Sequence, residues 1–427
     1  MILAYRILSN FLYPFLFIFL YLRVFLKKED PKRFKEKLFT SHFNVKRKDE
    51  LKLIWIHAAS IGEFKSIVPL IEQLNTDKKS YEFLITTSTL SSGNLAKLEL
   101  KNLYNVHHRY FPFDVSFLID KFLQLWRPEK IFLVDSEIWP NLILKSKARK
   151  IPLGIINARL TEKSFNRWSI FPKTAEKIFS VFDLCLCSNK ETQNYLGKLR
   201  ARNVRYEGNL KLIKKININK INEKNSDILS KIRFWFAASI HEEEDIFCLK
   251  IHNELKKNYK DIITIIAPRH LNTVKKIKIL SEKKNFKVQI LNRDDKISED
   301  KEILIVNSFG FLQSYFKYAK SVFIGKSIVP RLKHDSGQSP IDAAKLNCKI
   351  YHGPYVSNFK ELYEIFKINK ISHKIDNYLE LSKKLILDLK ENQKKERFDV
   401  NYIQKMENNI LINTMNVVNN FLQDENK

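Results

Sequence analysis

Two stretches decide the fold: Trp55-Ile56-His57-Ala58-Ala59-Ser60-Ile61-Gly62-Glu63 and Trp235-Phe236-Ala237-Ala238-Ser239-Ile240-His241-Glu242. Each reads as a strand that closes on Ala-Ala-Ser-Ile, turns, and meets an acidic helix start. A Ser followed three residues later by Glu also fits a capping box, in which the two side chains satisfy free N–H groups at a helix start. Matching first loops in the two halves predict two Rossmann-like domains facing across a cleft, with ligands beyond the carboxyl ends of the strands. Neither loop is G-x-G-x-x-G, so the dinucleotide fingerprint is absent.

Outward from these loops, strands alternate with helices, the pattern of parallel sheets in an α/β fold. Leu51–His57, Phe83–Thr87, Ile131–Val134, Ile151–Asn157 and Leu184–Cys187 are the strand candidates of the first half. Phe234–Ala238, Ile262–Ala267, Val288–Leu291, Ile303–Val306, Val322–Ile324 and Lys349–Tyr351 are those of the second. Between them, Lys214–Ser230 is polar and Asn/Lys-rich, the composition of a linker. The chain therefore divides into an anchor at 1–27, a first domain at 28–213, a linker at 214–231 and a second domain at 232–400. A helix at 401–427 is expected to pack back on the domains.

The anchor rests on Phe11–Leu22, wholly apolar or aromatic, continued by Val24-Phe25-Leu26. With Arg6, Ser9, Asn10 and Arg23 as interruptions, the stretch is just long enough to cross a bilayer. A signal peptide would need a small-x-small cleavage site, and none follows. Lys27, Lys28, Lys32, Arg33, Lys35 and Lys37 come next, predicting a cytoplasmic bulk with the N-terminus outward. Pro14 and the two arginines leave a helix lying in the interface as the other reading.

Composition sets limits. The 427 residues carry 75 Lys+Arg against 47 Asp+Glu, a net charge of +28 that calls for an anionic partner or reflects a Lys-rich proteome. Hydrophobic residues at 44% place the chain among globular proteins. The 4 cysteines are too few and too scattered for a disulfide scaffold or a structural zinc site. No zinc finger, helix-turn-helix or RNA-binding aromatic signature accompanies the charge, so nucleic acid is not the expected partner.

Ten blocks in one order carry a family resemblance. WIHAASIGEFKSIVPLI from Trp55, TTSTLSSGNLA from Thr86, FPFD from Phe111, DSEIWPNLI from Asp135, NARLTEKS from Asn157 and GNLK from Gly208 fall in the first half. AASIHEEE from Ala237, APRH from Ala267, GQSPIDAA from Gly337 and HGPYVSNF from His352 follow in the second. Together they resemble the 3-deoxy-D-manno-octulosonic acid (Kdo) transferases, membrane-associated glycosyltransferases of lipopolysaccharide synthesis with the two-domain GT-B fold. The resemblance implies an inverting transfer of Kdo from the cytidine monophosphate-activated sugar (CMP-Kdo) to the lipid A precursor, lipid IVA. It also implies a place on the cytoplasmic face of the bacterial inner membrane, beside anionic lipid.

The chemistry needs a base for the acceptor hydroxyl and cationic or N–H donors for the departing phosphate. From the residues alone Glu63 fits a base and a helix cap equally, and the resemblance favours the base. Ser60, Gly62, Ser88, Glu137 and Arg159 are the implied acceptor contacts. For the donor the implied set is Lys211, Ser239, His241, Arg269, His270, Ser308, Gly310, Gln338, Ser339, Asp342 and Asn358. Ser239 and His241 at a helix start would offer N–H groups and the macrodipole to the phosphate. No cofactor and no metal is expected, because a monophosphate leaving group is served by side-chain cations and no Asp-x-Asp pair ends a strand.

The second half departs from the family pattern. Ser336-Gly337-Gln338-Ser339-Pro340-Ile341-Asp342 stands where Gly-Gly-Gln/His-Asn-Pro-Leu/Ile-Glu is usual, and Asn307-Ser308-Phe309-Gly310-Phe311-Leu312 has lost two acids. Tyr355 replaces the histidine after Gly-Pro. These changes keep open another GT-B glycosyltransferase with a different nucleotide sugar and lipid-linked acceptor, and the charge of +28 would also fit a non-catalytic basic membrane-binding protein.

Overall fold

A computed structural model describes residues 1–48, 50–77, 79–216, 223–390 and 400–424. The chain forms two compact units, Met1–Lys215 with Met406–Lys427, and Ile216–Lys405. Each is built on a seven-stranded, wholly parallel sheet.

The first sheet contains β1 (Lys52–His57), β2 (Tyr81–Thr87), β3 (Val106–Tyr110), β4 (Lys130–Val134), β5 (Leu153–Ala158), β6 (Leu184–Cys187) and β7 (Val204–Tyr206), in the order β3-β2-β1-β4-β5-β6-β7. The second contains β8 (Phe234–Ile240), β9 (Ile263–Pro268), β10 (Val288–Leu291), β11 (Ile303–Val306), β12 (Ser321–Ile324), β13 (Lys349–His352) and β14 (Ser372–Lys374), in the order β10-β11-β9-β8-β12-β13-β14. The inner strands are buried along nearly their whole length because helices cover both faces, which is why they read as unbroken apolar runs. The strand order reverses beside β1 in the first sheet and beside β8 in the second. The two Ala-Ala-Ser-Ile loops therefore leave the sheets at the switch points where such folds hold ligands.

The expected linker gives one difference. Residues 217–222 lie outside the described residues, and Glu223–Lys231 form a helix. Ile228 and Leu229 are buried there, two apolar residues among polar ones, too few to show a period in sequence. The C-terminal helix Val400–Gln423 joins the first unit from Met406 onward. Ile410 lies so close to Gly208, at φ +106, that a Cβ there would clash, and the Lys130 ammonium donates to the Phe421 and Asp424 carbonyls at 2.7 Å each.

Helix α1 (Ile2–Phe25) is docked along the first unit, and it alone among the described helices is long and apolar enough to cross a membrane. Ile2, Tyr13, Leu16, Leu20 and Val24 pack on the unit's core. The Tyr5 hydroxyl donates to Asp114 at 2.9 Å, Tyr13 donates to the Leu38 carbonyl at 3.1 Å, and Arg23 pairs with Glu29 at 2.7 Å. First and last turns are thus held by the same domain.

Candidate active site

Beyond β1, Glu63 sits half-buried in the first turn of α2 (Ile61–Asp77). Its carboxylate accepts from the Ala59 N–H at 2.7 Å and from the Ser60 hydroxyl at 2.8 Å. The Ser60 hydroxyl oxygen in turn faces the Glu63 N–H at 3.4 Å, a loose capping box. Capping and chemistry are compatible, since the cap holds the carboxylate at the switch point. Burial raises the Glu63 pKa, repulsion from Glu137 and then Asp135 adds to it, and the bonds from Ser60 and Ala59 oppose it.

Those two acids come from the end of β4, next to β1 in the sheet. Glu137 accepts from the Trp139 indole at 2.7 Å and lies 3.3 Å from His57 Nε2. His57 is fully buried, its ring stacked on Phe111 at 3.9 Å and its Nδ1 3.0 Å from the Thr86 hydroxyl. Trp139 also packs on Phe111 at 5.4 Å, so it serves both core and carboxylate. Asp135, at φ +63, binds the Ser136 hydroxyl at 2.8 Å and the Lys211 ammonium at 2.6 Å. Arg159 leaves the neighbouring β5 with its N–H on the Asp135 carbonyl. Ser88 follows β2 and donates its N–H to the Ala59 carbonyl at 3.1 Å.

In the second unit, Ser239 adopts φ +57 and His241 follows it. Arg269, His270, Lys326 and Arg331 surround His241; burial first, and then electrostatic repulsion from these neighbours, Lys326 foremost, push its pKa down to about 4. The His241 and His270 rings meet edge to face at 5.6 Å. The helix, however, begins at Glu244, with Asp245 beside it. Glu244 is fully buried and accepts from the N–H groups of His241 at 3.0 Å, Lys326 at 2.7 Å, Ser327 at 2.8 Å and Ile328 at 3.3 Å. A carboxylate thus takes the His241 N–H that was expected to face the phosphate, and of the nearby side-chain cations Arg331 pairs with Glu243 at 2.9 Å. The Glu244 carboxylate also displaces the expected Ser239–Glu242 cap, for Glu242 is exposed and pairs with Lys276.

Gln338 approaches His241 Nε2 at 3.4 Å, and its carbonyl accepts from the buried Tyr363 hydroxyl at 2.9 Å. Gly337, at φ +85, precedes it; a Cβ there would stand 2.9 Å from the Val356 Cα. The Ser339 hydroxyl oxygen accepts from the Ile341 N–H at 3.4 Å, while Asp342 accepts from Gln313 at 3.0 Å. The Asn358 N–H reaches the Ser336 carbonyl at 2.9 Å. Ser308 and Gly310, the latter at φ +88, lie in the turn after β11. Among the described residues no group of three or more His, Cys, Asp or Glu is arranged to hold a metal ion.

Comparison with known proteins places this geometry. Residues 32–213 match the family model for 3-deoxy-D-manno-octulosonic-acid transferase (kdotransferase). The probable mitochondrial 3-deoxy-D-manno-octulosonic acid transferase of Arabidopsis thaliana is 31% identical over 320 residues, 73% of this chain and 70% of that one. The chain belongs to the Kdo transferase family. The 3-deoxy-D-manno-octulosonic acid transferase of Rickettsia bellii is 27% identical over 95% of both chains. Among solved structures, UDP-GlcNAc 2-epimerase from Neisseria meningitidis aligns with TM-score 0.58 over 88% of this chain and 100% of that one, at 14% identity. That likeness shows the fold alone, the GT-B type. The protein is accordingly a glycosyltransferase of lipopolysaccharide synthesis.

In this Kdo transferase the first unit gathers Ser60, Gly62, Glu63, Ser88, Glu137 and Arg159 around the ends of β1, β2, β4 and β5. The second unit gathers Ser239, His241, Arg269, His270 and Gln338. Lys211 belongs to the first unit and is bound to Asp135. Sequence reasoning missed His57, Thr86, Lys326 and Glu244. A polar His57 and Thr86 inside otherwise apolar strands were the available signal, since buried polar groups need partners.

Proposed function

We propose that this Kdo transferase moves Kdo from CMP-Kdo to the lipid A precursor lipid IVA with inversion, Glu63 acting as general base. The observation that carries the reading is Glu63 itself, a carboxylate at the switch point of the first sheet. Burial and two neighbouring acids raise its pKa, which strengthens it as a base once ionised. Glu63 takes the proton of the acceptor hydroxyl, and the oxygen attacks the anomeric carbon from the face opposite the nucleotide. The bond from that carbon to the phosphate oxygen breaks, and CMP departs with the electron pair. Arg269, His270, Lys326 and Arg331, gathered about His241, suit the negative charge left on the phosphate. Arg159 in the acceptor domain suits a phosphate of the bisphosphorylated lipid.

Helix α1 supports attachment to a membrane, and the cytoplasmic face of the inner membrane is our reading of the lysine cluster that follows it. One stripe of the helix is packed on the domain, and the rest of its surface exposes apolar side chains, Leu3, Ile7, Leu8, Phe11, Leu12, Phe15, Ile18, Phe19, Leu22 and Phe25 among them. Docking of the helix along the domain near both its ends favours lying in the lipid interface over standing across the bilayer, and nearby Lys27, Lys28 and Lys32 suit anionic lipid.

Detergent-solubilised protein given CMP-Kdo and lipid IVA should yield acceptor heavier by Kdo units in mass spectrometry, and Glu63→Gln should abolish the gain. A mass increase from a uridine nucleotide sugar instead would replace the donor. Retained turnover in Glu63→Gln would remove Glu63 as base.

A further inference from the structure

A chain of hydrogen bonds joins α1 to the turn that holds Glu63. Arg23, in the last turn of α1, binds Glu29 Oε1 at 2.7 Å. Glu29 Oε2 accepts from the Lys37 ammonium at 2.5 Å, and the same ammonium donates to the Ser88 carbonyl at 2.8 Å. The Ser88 N–H is bonded to the Ala59 carbonyl, which also accepts from the Ser92 hydroxyl at 3.0 Å. The Ala59 N–H then holds Glu63. Glu29 and Lys37 are 3% and 5% exposed, so neither is an ordinary surface charge, and the Lys37 ammonium lies 5.0 Å from the Tyr110 ring centre.

Burying a lysine is costly unless every donor finds a partner. This one is spent on a backbone carbonyl of the site, on a ring and on a carboxylate that grips α1. We propose that Lys37 is a positioning residue for the transfer reaction. By pinning the Ser88 turn it sets the Ala59–Ser60 turn that orients Glu63, and through Glu29 it makes that geometry depend on the seating of α1. The proposal rests on the reading of Glu63 as base.

The test uses the full-length protein in mixed micelles with CMP-Kdo and lipid IVA. Lys37→Met removes the charge and keeps the stem, while Lys37→Arg keeps a donor. In Lys37→Met kcat should fall at least about tenfold, with the KM for donor within about twofold of wild type. The acid limb of its kcat profile should move, because the Ala59 bond to Glu63 is loosened, and Lys37→Arg should recover most of the rate. Unchanged kcat and an unmoved limb in a Lys37→Met protein that melts with the wild type overturn the proposal. Should Lys37→Met unfold early, Glu29→Gln decides: a moved limb supports the role, and an unmoved limb overturns it. Glu63→Gln is run alongside. Turnover retained there sinks the base reading, whereas the KM-against-kcat split in the Lys37 variants judges positioning on its own.

Discussion

Glu137 Oε2 lies 3.3 Å from His57 Nε2 and accepts a 2.7 Å hydrogen bond from the Trp139 indole. These two partners fix a second carboxylate where it repels Glu63, the largest influence on that group after burial. Glu137→Gln keeps an acceptor for Trp139 and removes the charge, so the Glu63 pKa should fall. A base works when ionised; the acid limb of kcat/KM should therefore move to lower pH. A pH–rate profile checks this, and a limb that stays or rises would contradict it.

The Asp135–Lys211 pair makes a different prediction. Asp135 is 7% exposed and holds Lys211 at 2.6 Å, while a quarter of the Lys211 side chain remains exposed. Lys211→Met should cost about 1–3 kcal/mol, less than a fully buried pair, because water and Ser136 partly replace the ammonium. Denaturant unfolding measures this. With Lys211 spent on Asp135, the KM for donor should change less than about twofold. A large rise in KM without loss of stability would return Lys211 to the donor contacts.

Asp114 links α1 to pH. It accepts from Tyr5 and from the Asn141 and Leu142 N–H groups, yet burial raises its pKa to about 6. The folded protein then binds this proton more tightly than the unfolded chain does. The resulting stabilisation, on the order of 3 kcal/mol, is full below about pH 4 and lost as pH rises through about 6. Wild type should gain on Asp114→Asn as the pH falls across that window in paired thermal melts. A gap that is constant with pH, or that narrows, would show that Asp114 is not the group responsible.

What the sequence made legible follows physical lines. The inner strands β1, β4, β8 and β9 are buried on both faces and appear as apolar runs. The missed strands β3, β7 and β14 are edges. There His107, His108, Arg109, Arg205 and His373 are tolerated, because an edge strand is only partly buried and has one side without a strand neighbour; Arg33, for instance, donates to the His108 carbonyl and Glu36 accepts from the Tyr110 N–H. Glu63 was readable because a helix-starting acid after a strand is a local pattern. Glu244 was not, since its partners at 326–328 are some eighty residues away. Lys37 is hidden for the same reason, as one lysine in a cluster whose partners only the fold supplies.

The outward stripe of α1 yields the last prediction. Phe11, Phe15 and Ile18 are 68%, 56% and 58% exposed, so replacing all three with Gln removes apolar surface without opening the core. At about 1 kcal/mol or more each for partial burial in lipid, the triple variant should bind vesicles of anionic lipid on the order of a hundredfold more weakly. Its melting temperature should stay near wild type. Tyr13→Ala is the opposite control: Tyr13 donates to the Leu38 carbonyl and packs edge-on against Phe117 at 4.9 Å, so its loss should lower the melting temperature by loosening α1 from the domain. Vesicle co-sedimentation beside thermal melts separates the two faces. Undiminished vesicle binding by the triple variant would mean that this stripe is not what meets the membrane.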